Sequence, residues 1–151
     1  MEVFKITTDN YAHELTASGR PNRWNKKGEF VIYTGSSRSL STLELIVHRG
    51  AVQPSVVYRV MVISISDDNN IYETLNSKQL PDNWKNIIAY PTLQDLGSVW
   101  YRNQRSLVLK IPSAVIPFEY NFILNTTHPD FKEHVRLVRT ERYFWDERLP
   151  L

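Results

Sequence analysis

Hydrophobic residues recur along the chain in short runs separated by polar turns, with either the two-residue alternation or the continuous apolar character of strands. The run at 56–65 is the strongest of them. The run at 30–34 is apolar on both faces, as expected of a strand covered on two sides. Together the runs predict strands at residues 3–7, 30–34, 56–65, 71–75, 106–111, 119–124 and 135–140.

Two further segments carry the period and the end signals of helices. Small residues at 35–37 supply candidate N-caps for a helix over about residues 39–49, which Gly50 would end. Thr92, with Asp95 three residues later, resembles a capping box and would open a second helix through about residue 103. Its expected apolar face consists of Leu96, Val99, Trp100 and Asn103. With more strand than helix, the elements predict one α/β (α+β) domain with a single mixed sheet over residues 1–151.

Composition excludes several classes of functional site but does not identify one. The 151 residues include no cysteine, which excludes a disulfide framework, thiolate zinc sites and a cysteine nucleophile. The formal charge of +2 is mild, and the cations are scattered, so composition favours no direct nucleic-acid partner. We see no secretory signal and no apolar run as long as a membrane span. A cytoplasmic protein without a membrane partner is therefore expected.

Glu44 is a carboxylate on the border of an apolar stripe in the first predicted helix. Around that helix, Leu40 and Val47 lie about 40° and 60° from it, and His48 lies about 40° away on the other side. Such a residue can extend its head group to water or to a nearby cation, or it can point into a cleft as a functional group. Spacing alone leaves both interpretations open.

The loop before the second strand concentrates positive charge, with Arg20, Arg23, Lys26 and Lys27. Four cations beside Gly and Asn can hold a phosphate, although most such clusters are solvated loops. Trp24 favours a ligand or a packed loop, because an exposed loop rarely contains a tryptophan that neither stacks nor becomes buried. Tyr33 closes the following strand, where its ring could stack on a flat heterocycle or fill the core.

The remaining motifs are weaker. Ser113 follows Pro112 directly after a strand, and it could bind a ligand hydroxyl or simply begin a turn. The four histidines lack the spacing of a metal site, so we expect no metal. The chain has no Gly-x-Gly-x-x-Gly, Walker loop or Gly-x-Ser-x-Gly motif. Residue chemistry alone therefore indicates a small enzyme or binding domain and goes no further.

Taken in order, these residues resemble the RES domain, the toxin half of bacterial toxin–antitoxin pairs, named for an Arg, a Glu and a Ser. The chain departs from the usual pattern at Asn22, where a glycine is common, and at Lys26, where a proline is frequent. Asn tolerates the left-handed backbone that glycine would supply. The resemblance covers nearly the whole chain and is carried by residues 22–25, 33–34, 43–44, 94–97, 105–109, 111–117, 121, 124–131 and 143–149.

The resemblance implies a fold similar to ADP-ribosyltransferases and a type II toxin that degrades NAD⁺. The bond cleaved would be the nicotinamide–ribose bond, with transfer to water or phosphate, so that NAD⁺ is a substrate and no metal is needed. The catalytic residues implied are Arg23, Tyr33, Glu44 and Ser113. The NAD⁺-binding residues implied are Arg23, Trp24, Tyr33, His48, Asn121 and Asn125.

Each catalytic residue has an expected role in this chemistry. Arg23 would hold the pyrophosphate, and Tyr33 would stack on nicotinamide. Glu44 would bind a ribose hydroxyl and oppose the positive charge that develops on the ribose. Ser113 would hydrogen-bond on the nicotinamide or ribose side.

Two alternative activities and a set of partners complete the expectation. A protein ADP-ribosyltransferase toxin is the first alternative. A ribonuclease toxin is the second, suggested by a pI near 8.9 and 12% aromatic residues, and it would depend on histidines such as His128. The resemblance implies a helix-turn-helix antitoxin that covers the active site, a homodimer within the toxin–antitoxin complex, and contact with DNA only through that antitoxin.

Overall fold

A computed structural model of the chain describes residues 1–48, 53 and 55–149. In this part of the chain the strands are β1 (Glu2–Thr8), β2 (Val31–Gly35), β3 (Tyr58–Ile65), β4 (Tyr72–Thr74), β5 (Val108–Pro112), β6 (Tyr120–Asn125) and β7 (Val135–Arg142). The helices are α1 (Arg38–Val47), α2 (Tyr90–Asn103) and α3 (Phe131–His134), and short 3₁₀ turns lie at Asp9–Tyr11, Asn69–Ile71, Ser77–Gln79 and Ile87–Ala89. No helix among the described residues is both long and apolar enough to cross a membrane.

All seven strands join one sheet in the order β4-β5-β6-β2-β1-β3-β7. Neighbouring strands are antiparallel except β4 and β5, which are parallel. The predicted fold class, an α/β (α+β) domain with a single mixed sheet, is therefore confirmed. Each predicted strand is present, and its bounds differ from the prediction by at most two residues at either end.

Both faces of the sheet are covered, because alternate residues of the central strands enter different hydrophobic clusters. In β2, Ile32 packs with Val3 and Leu124 on one face, where Phe131 of α3 completes the cluster. Val31 points to the opposite face, where α1 and α2 lie. This confirms that the strand is apolar on both sides because both sides are covered.

Helix α1 begins at a side-chain cap and approaches the sheet closely. The Ser37 hydroxyl accepts a hydrogen bond from the Leu40 amide, which confirms the predicted N-cap. One turn later the Ser41 hydroxyl donates to the Phe4 carbonyl at 3.0 Å. A Cβ on Gly35 would lie 2.6 Å from the Ser41 oxygen, so a larger residue here would displace the hydroxyl that binds the Phe4 carbonyl. The helix ends at Val47 with His48 as its C-cap, before the predicted end, and residues 49 and 50 lie outside the described residues.

Helix α2 starts earlier than predicted, and its capping box is not formed. The helix begins at Tyr90 without a side-chain cap, with Pro91 in its first turn, where the missing amide proton has no consequence. Thr92 consequently lies inside the helix. The Asp95 carboxylate lies 2.6 Å from the Lys26 amine instead of capping the backbone.

The buried face of α2 also differs from the prediction. Trp100 is buried as predicted, but Val99 is 65% exposed, and Leu93, which was not predicted, is buried in the cluster beneath the helix. Gly97 belongs to the same face and faces the loop between β1 and β2. A Cβ on Gly97 would lie only 1.7 Å from the Trp24 carbonyl oxygen, so the two backbones are in direct contact.

This contact predicts that Gly97→Ala is strongly destabilising. Overpacking typically costs about 1–3 kcal/mol, and the obstacle here is backbone, so we expect a loss of about 3 kcal/mol in the free energy of unfolding. Urea unfolding followed by tryptophan fluorescence measures this loss. Val99→Ala on the exposed side of the same helix is the matched control and should change stability by less than about 0.5 kcal/mol. Equal unfolding midpoints for Gly97→Ala and wild type would contradict the close contact.

Candidate active site

The basic loop between β1 and β2 is organised by buried polar groups and not by its cations. Asn25 is 1% exposed, and its side-chain amide donates to the carbonyl oxygens of Arg20, Lys26 and Glu29. The buried Glu29 carboxylate accepts from the Lys26 amide at 2.6 Å and from the Ser98 hydroxyl of α2 at 2.5 Å. Buried polar groups with this many partners fix a single loop conformation.

Tyr33 of β2 connects the same loop to the sheet by two hydrogen bonds. Its hydroxyl donates to Asn25 Oδ1 at 2.6 Å and accepts from the Trp24 amide at 3.0 Å. Burial raises the pKa of Tyr33 above its ordinary value, so the hydroxyl stays protonated and remains a donor. The hydroxyl is thus committed to the loop, while the ring borders a cleft described below.

Arg23 extends from this loop towards the segment before α2. Its Nη1 donates to the Trp84 carbonyl at 2.8 Å, and its guanidinium carbon lies 4.8 Å from the centre of the Tyr90 ring. A guanidinium has five N–H donors, so these contacts fix its position and leave donors for a ligand.

Glu44 points into the molecule from α1 and is half-buried. Its Oε1 accepts from the Asn121 side-chain amide at 2.7 Å and from the Ser113 hydroxyl at 2.9 Å. Ser113 is 2% exposed, and its oxygen accepts from the amides of Val115 and Ile116, which leaves its proton for Glu44. No described residue donates to Oε2, so the second carboxylate oxygen is available to a ligand.

Asn121 lies on the floor of the site with an unsatisfied acceptor. In the sheet it stands beside Gly35, which in turn stands beside Phe4, so the three positions form one row on the same face. Among the described residues, no group donates to the buried Oδ1 of Asn121. Leaving such an acceptor unpaired costs about 1–3 kcal/mol, and sites that bind ligands are where this cost is commonly retained.

Above this row lies a cleft of about 170 Å³, which we call the small cleft. Its walls combine apolar side chains of β1 and α1 with a few polar groups, namely Phe4, Ile6, Leu45, Tyr33, Glu44, His48 and Asn121. A hollow of about 40 Å³ adjoins it, shares Tyr33, Glu44, His48 and Asn121, and adds Arg23 and Pro112. Apolar walls with a few convergent polar groups are typical of small-molecule sites.

The structure brings together most of the residues predicted for the site. Six of them border the small cleft or its adjoining hollow: Arg23, Trp24, Tyr33, Glu44, His48 and Asn121. Ser113 joins them through its hydrogen bond to Glu44. Among the described residues, no group of side chains has the composition of a metal site.

Two predicted binding residues are placed differently. Trp24 borders the hollow, but it is 2% exposed, because its side chain packs into the hydrophobic cluster beneath α2. Asn125 lies at the far end of β6, fully buried, with its amide on the Tyr101 carbonyl and its Oδ1 on Thr127. The polar groups of Asn125 serve the turn after β6, and the structure does not bring this residue to the small cleft or the hollow.

Sequence reasoning missed the apolar wall and the residues that hold the basic loop. Alternation along β1 assigns Phe4 and Ile6 to one face, but it does not reveal which face carries the cleft. Asn25 and Glu29 look like solvated loop residues in the sequence, and only their burial identifies them as structural. Lys5 also borders the cleft, and burial lowers the pKa of its amine.

Known proteins resemble this chain over almost its entire length. The RES domain family model matches residues 2–146. A protein named Toxin Res from Yersinia enterocolitica is 35% identical, with 99% of both chains covered. Another Toxin Res, from Photorhabdus laumondii, is 31% identical over 99% of this chain and 97% of its own. A Sphingobium protein named Prs ADP-ribosylating toxin is 29% identical over 97% of this chain and 94% of its own.

A solved structure shares the fold. The match is the M. tuberculosis MbcT–MbcA toxin–antitoxin complex, with a TM-score of 0.72 over 94% of this chain and 83% of the matched chain. At 13% identity this likeness concerns the fold alone. The family match over residues 2–146 and the two full-length relatives above 30% identity lead to one conclusion. The chain belongs to the RES domain family.

Proposed function

We propose that this protein is the toxin of a toxin–antitoxin system and that it cleaves the nicotinamide–ribose bond of NAD⁺, with water or phosphate as acceptor. The observation that carries the proposal is the geometry of Glu44, whose Oε1 is held by Ser113 and Asn121 while Oε2 is available in the small cleft. Family membership and a relative named as an ADP-ribosylating toxin support it.

The chemistry requires charge stabilisation more than proton transfer. When the bond between C1′ of the ribose and the pyridinium nitrogen breaks, its electron pair moves to the nitrogen and a neutral nicotinamide leaves. The ribose becomes oxocarbenium-like, and an oxygen of water or phosphate then bonds to C1′ and gives up its proton. A fixed carboxylate opposes the developing cation without reorganising, which lowers the barrier.

The small cleft suits the nicotinamide end of the substrate. Its apolar wall and the Tyr33 ring offer surfaces for a flat heterocycle, and Asn121 Oδ1 can accept from a carboxamide N–H or a ribose hydroxyl. Arg23 lines the adjoining hollow, and in this proposal its free N–H donors bind the pyrophosphate that follows the ribose. Trp24 contributes indirectly, because its buried ring fixes the loop that carries Arg23.

The proposal includes a partner. A helix-turn-helix antitoxin covers the small cleft, the toxin is a cytoplasmic homodimer within that complex, and contact with DNA occurs through the antitoxin. The M. tuberculosis protein with the same fold is part of a toxin–antitoxin complex, which supports an antitoxin partner.

One alternative keeps specific support and the other does not. Transfer of ADP-ribose to a protein is the second candidate, favoured by the name of the Sphingobium relative. The ribonuclease alternative would depend on histidines such as His128, and the His128 ring is buried between Gln104 and Asp130. Its Nε2 lies 2.9 Å from the Gln104 carbonyl oxygen, and its Nδ1 accepts from the Asp130 amide. His128 is therefore committed to the fold.

The first test is nicotinamide release from NAD⁺ by the purified protein, with and without phosphate. Glu44→Ala and Glu44→Gln should each lower turnover at least about tenfold, equivalent to about 1.4 kcal/mol of lost transition-state stabilisation. Neither variant retains the negative charge that opposes the ribose cation. Ser113→Ala should reduce turnover less, since Asn121 still holds the carboxylate.

The matched control is Glu133→Gln, an exposed carboxylate on α3 at the opposite face of the sheet. It should release nicotinamide at the wild-type rate. If wild type releases no nicotinamide with or without phosphate, NAD⁺ cleavage is wrong. Labelled NAD⁺ that marks a protein instead of appearing in free products identifies the alternative acceptor.

A second test distinguishes the role of the Tyr33 hydroxyl from that of the Tyr33 ring. Tyr33→Phe leaves Asn25 Oδ1 and the Trp24 amide without their partner, so it should lower the free energy of unfolding by about 1–3 kcal/mol. It keeps the ring, so turnover of the folded protein should change by less than about threefold. Tyr33→Ala should lose both stability and most activity. Thermal unfolding and steady-state kinetics measure the two effects. A folded Tyr33→Phe protein as inactive as Tyr33→Ala would give the hydroxyl a chemical role.

A further inference from the structure

A second concavity has a volume of about 580 Å³, and we call it the large groove. The segment that connects β5 to β6 forms part of its lining. The 3₁₀ turn at Ser77–Gln79 and the indole of Trp84 form one side, and the turn leading into β6 forms the other. Sites that hold drug-sized ligands measure about 300–1,000 Å³. The small cleft is below this range, so it cannot enclose a whole dinucleotide, whereas the large groove lies within it.

Hydrogen bonds between lining residues connect the large groove with the small cleft and its adjoining hollow. Ser113 lines the groove, and its hydroxyl donates to Glu44, which lines the cleft. Trp84 lines the groove, and its carbonyl accepts from Arg23, which lines the hollow beside the cleft. Arg23 therefore stands at the boundary between the two spaces, where a dinucleotide that occupied both would have its pyrophosphate.

The large groove is positively charged. Lys78 and Lys85 line it, and Lys110 lies 4.4 Å from the centre of the Tyr120 ring at its edge. Within the described residues, none of these three amines pairs with a carboxylate, and Glu119 is the acidic residue of the lining. Unpaired cations around a concave surface favour an anionic ligand.

An aromatic side chain stands at the rim. Phe118 is 99% exposed and has a φ of 65°, a left-handed conformation that is strained for a bulky residue. The turn is closed back onto Ser113, whose amide donates to the Glu119 carbonyl at 2.8 Å. Strain of this kind is commonly retained where function needs it, and a free aromatic face can stack on a nucleobase.

From these observations we infer that the large groove binds the adenosine diphosphate half of the dinucleotide. Adenine stacks on Phe118, Lys78 and Lys85 neutralise the phosphates together with Arg23, and the nicotinamide ribose extends to Glu44. This assignment rests on the proposed NAD⁺ cleavage for its substrate. The shape and charge of the groove are independent of that reaction.

The experiment compares NAD⁺ with nicotinamide mononucleotide, which has the same scissile bond and one phosphate but no adenosine monophosphate half. For the double variant Lys78→Glu/Lys85→Glu and for Phe118→Gly, the ratio of kcat/KM for NAD⁺ to kcat/KM for the mononucleotide should fall about tenfold, equivalent to about 1.4 kcal/mol. Glycine adopts the left-handed conformation without strain, so Phe118→Gly should fold at least as stably as wild type.

Matched controls lie away from the groove. Lys132→Glu reverses an exposed charge on α3, and Phe144→Ala removes an exposed aromatic side chain after β7. Both should keep the wild-type substrate ratio. An unchanged ratio in the groove variants would overturn the inference, as would a wild-type enzyme that uses both substrates equally well. Groove variants that release nicotinamide normally but no longer label a protein would assign the groove to an acceptor and also overturn it.

Calorimetry with ADP distinguishes failure of this inference from failure of the proposed reaction. Wild type and Glu44→Gln should both bind ADP, and the double lysine variant should bind it at least about tenfold more weakly. If wild type binds ADP in this way but cleaves no NAD⁺, the groove assignment stands and the reaction is wrong. If ADP does not bind, or binds equally to the lysine variant, the groove assignment is wrong whatever the enzyme does to NAD⁺.

Discussion

Two hydrogen bonds to a single oxygen of Glu44 connect α1 to the β5–β6 side of the sheet, and the site depends on them. A half-buried carboxylate must replace the water it loses with donors, and Ser113 and Asn121 supply them at 2.9 and 2.7 Å. Because both donors act on Oε1, the carboxylate is held in one orientation and Oε2 is directed elsewhere. The glycine at position 35 is part of the same constraint, since it allows α1 close enough for Glu44 to reach across.

The basic loop is also held by hydrogen bonds between buried polar groups. Its conformation comes from Asn25, Glu29 and the Tyr33 hydroxyl, which are buried or tied to buried partners, and not from attraction or repulsion among its cations. The exposed ion pair between Lys26 and Asp95 adds little, because surface pairs contribute about 0–1 kcal/mol. The position of Arg23 is thus determined by contacts with uncharged groups, and no described carboxylate pairs with its charge.

The sequence predicts the strands well because their hydrophobic alternation is local. It predicts the start of α1 because Ser37 is a local cap. It misplaces the start of α2, since the helix begins at Tyr90, two residues before the apparent capping box at Thr92, with Pro91 in its first turn. Asn125 shows a different limit. Alternation correctly puts it on the face of Asn121, but four residues span about 13 Å of strand, and the cleft lies over only one end.

Glu44 could not be assigned by such local rules, because its direction is decided by side chains about seventy residues away in the chain. Once placed, it constrains the chemistry. Glycosidases use paired carboxylates, one of which protonates a poor leaving group. Among the described residues that line the small cleft, Glu44 is the one with a carboxylate. One carboxylate is enough for a reaction in which the leaving group departs as a neutral pyridine and needs no proton. For the proposed cleavage of NAD⁺, the requirement is a fixed negative charge beside the ribose, and the two donors on Oε1 would meet it by holding the carboxylate in one orientation.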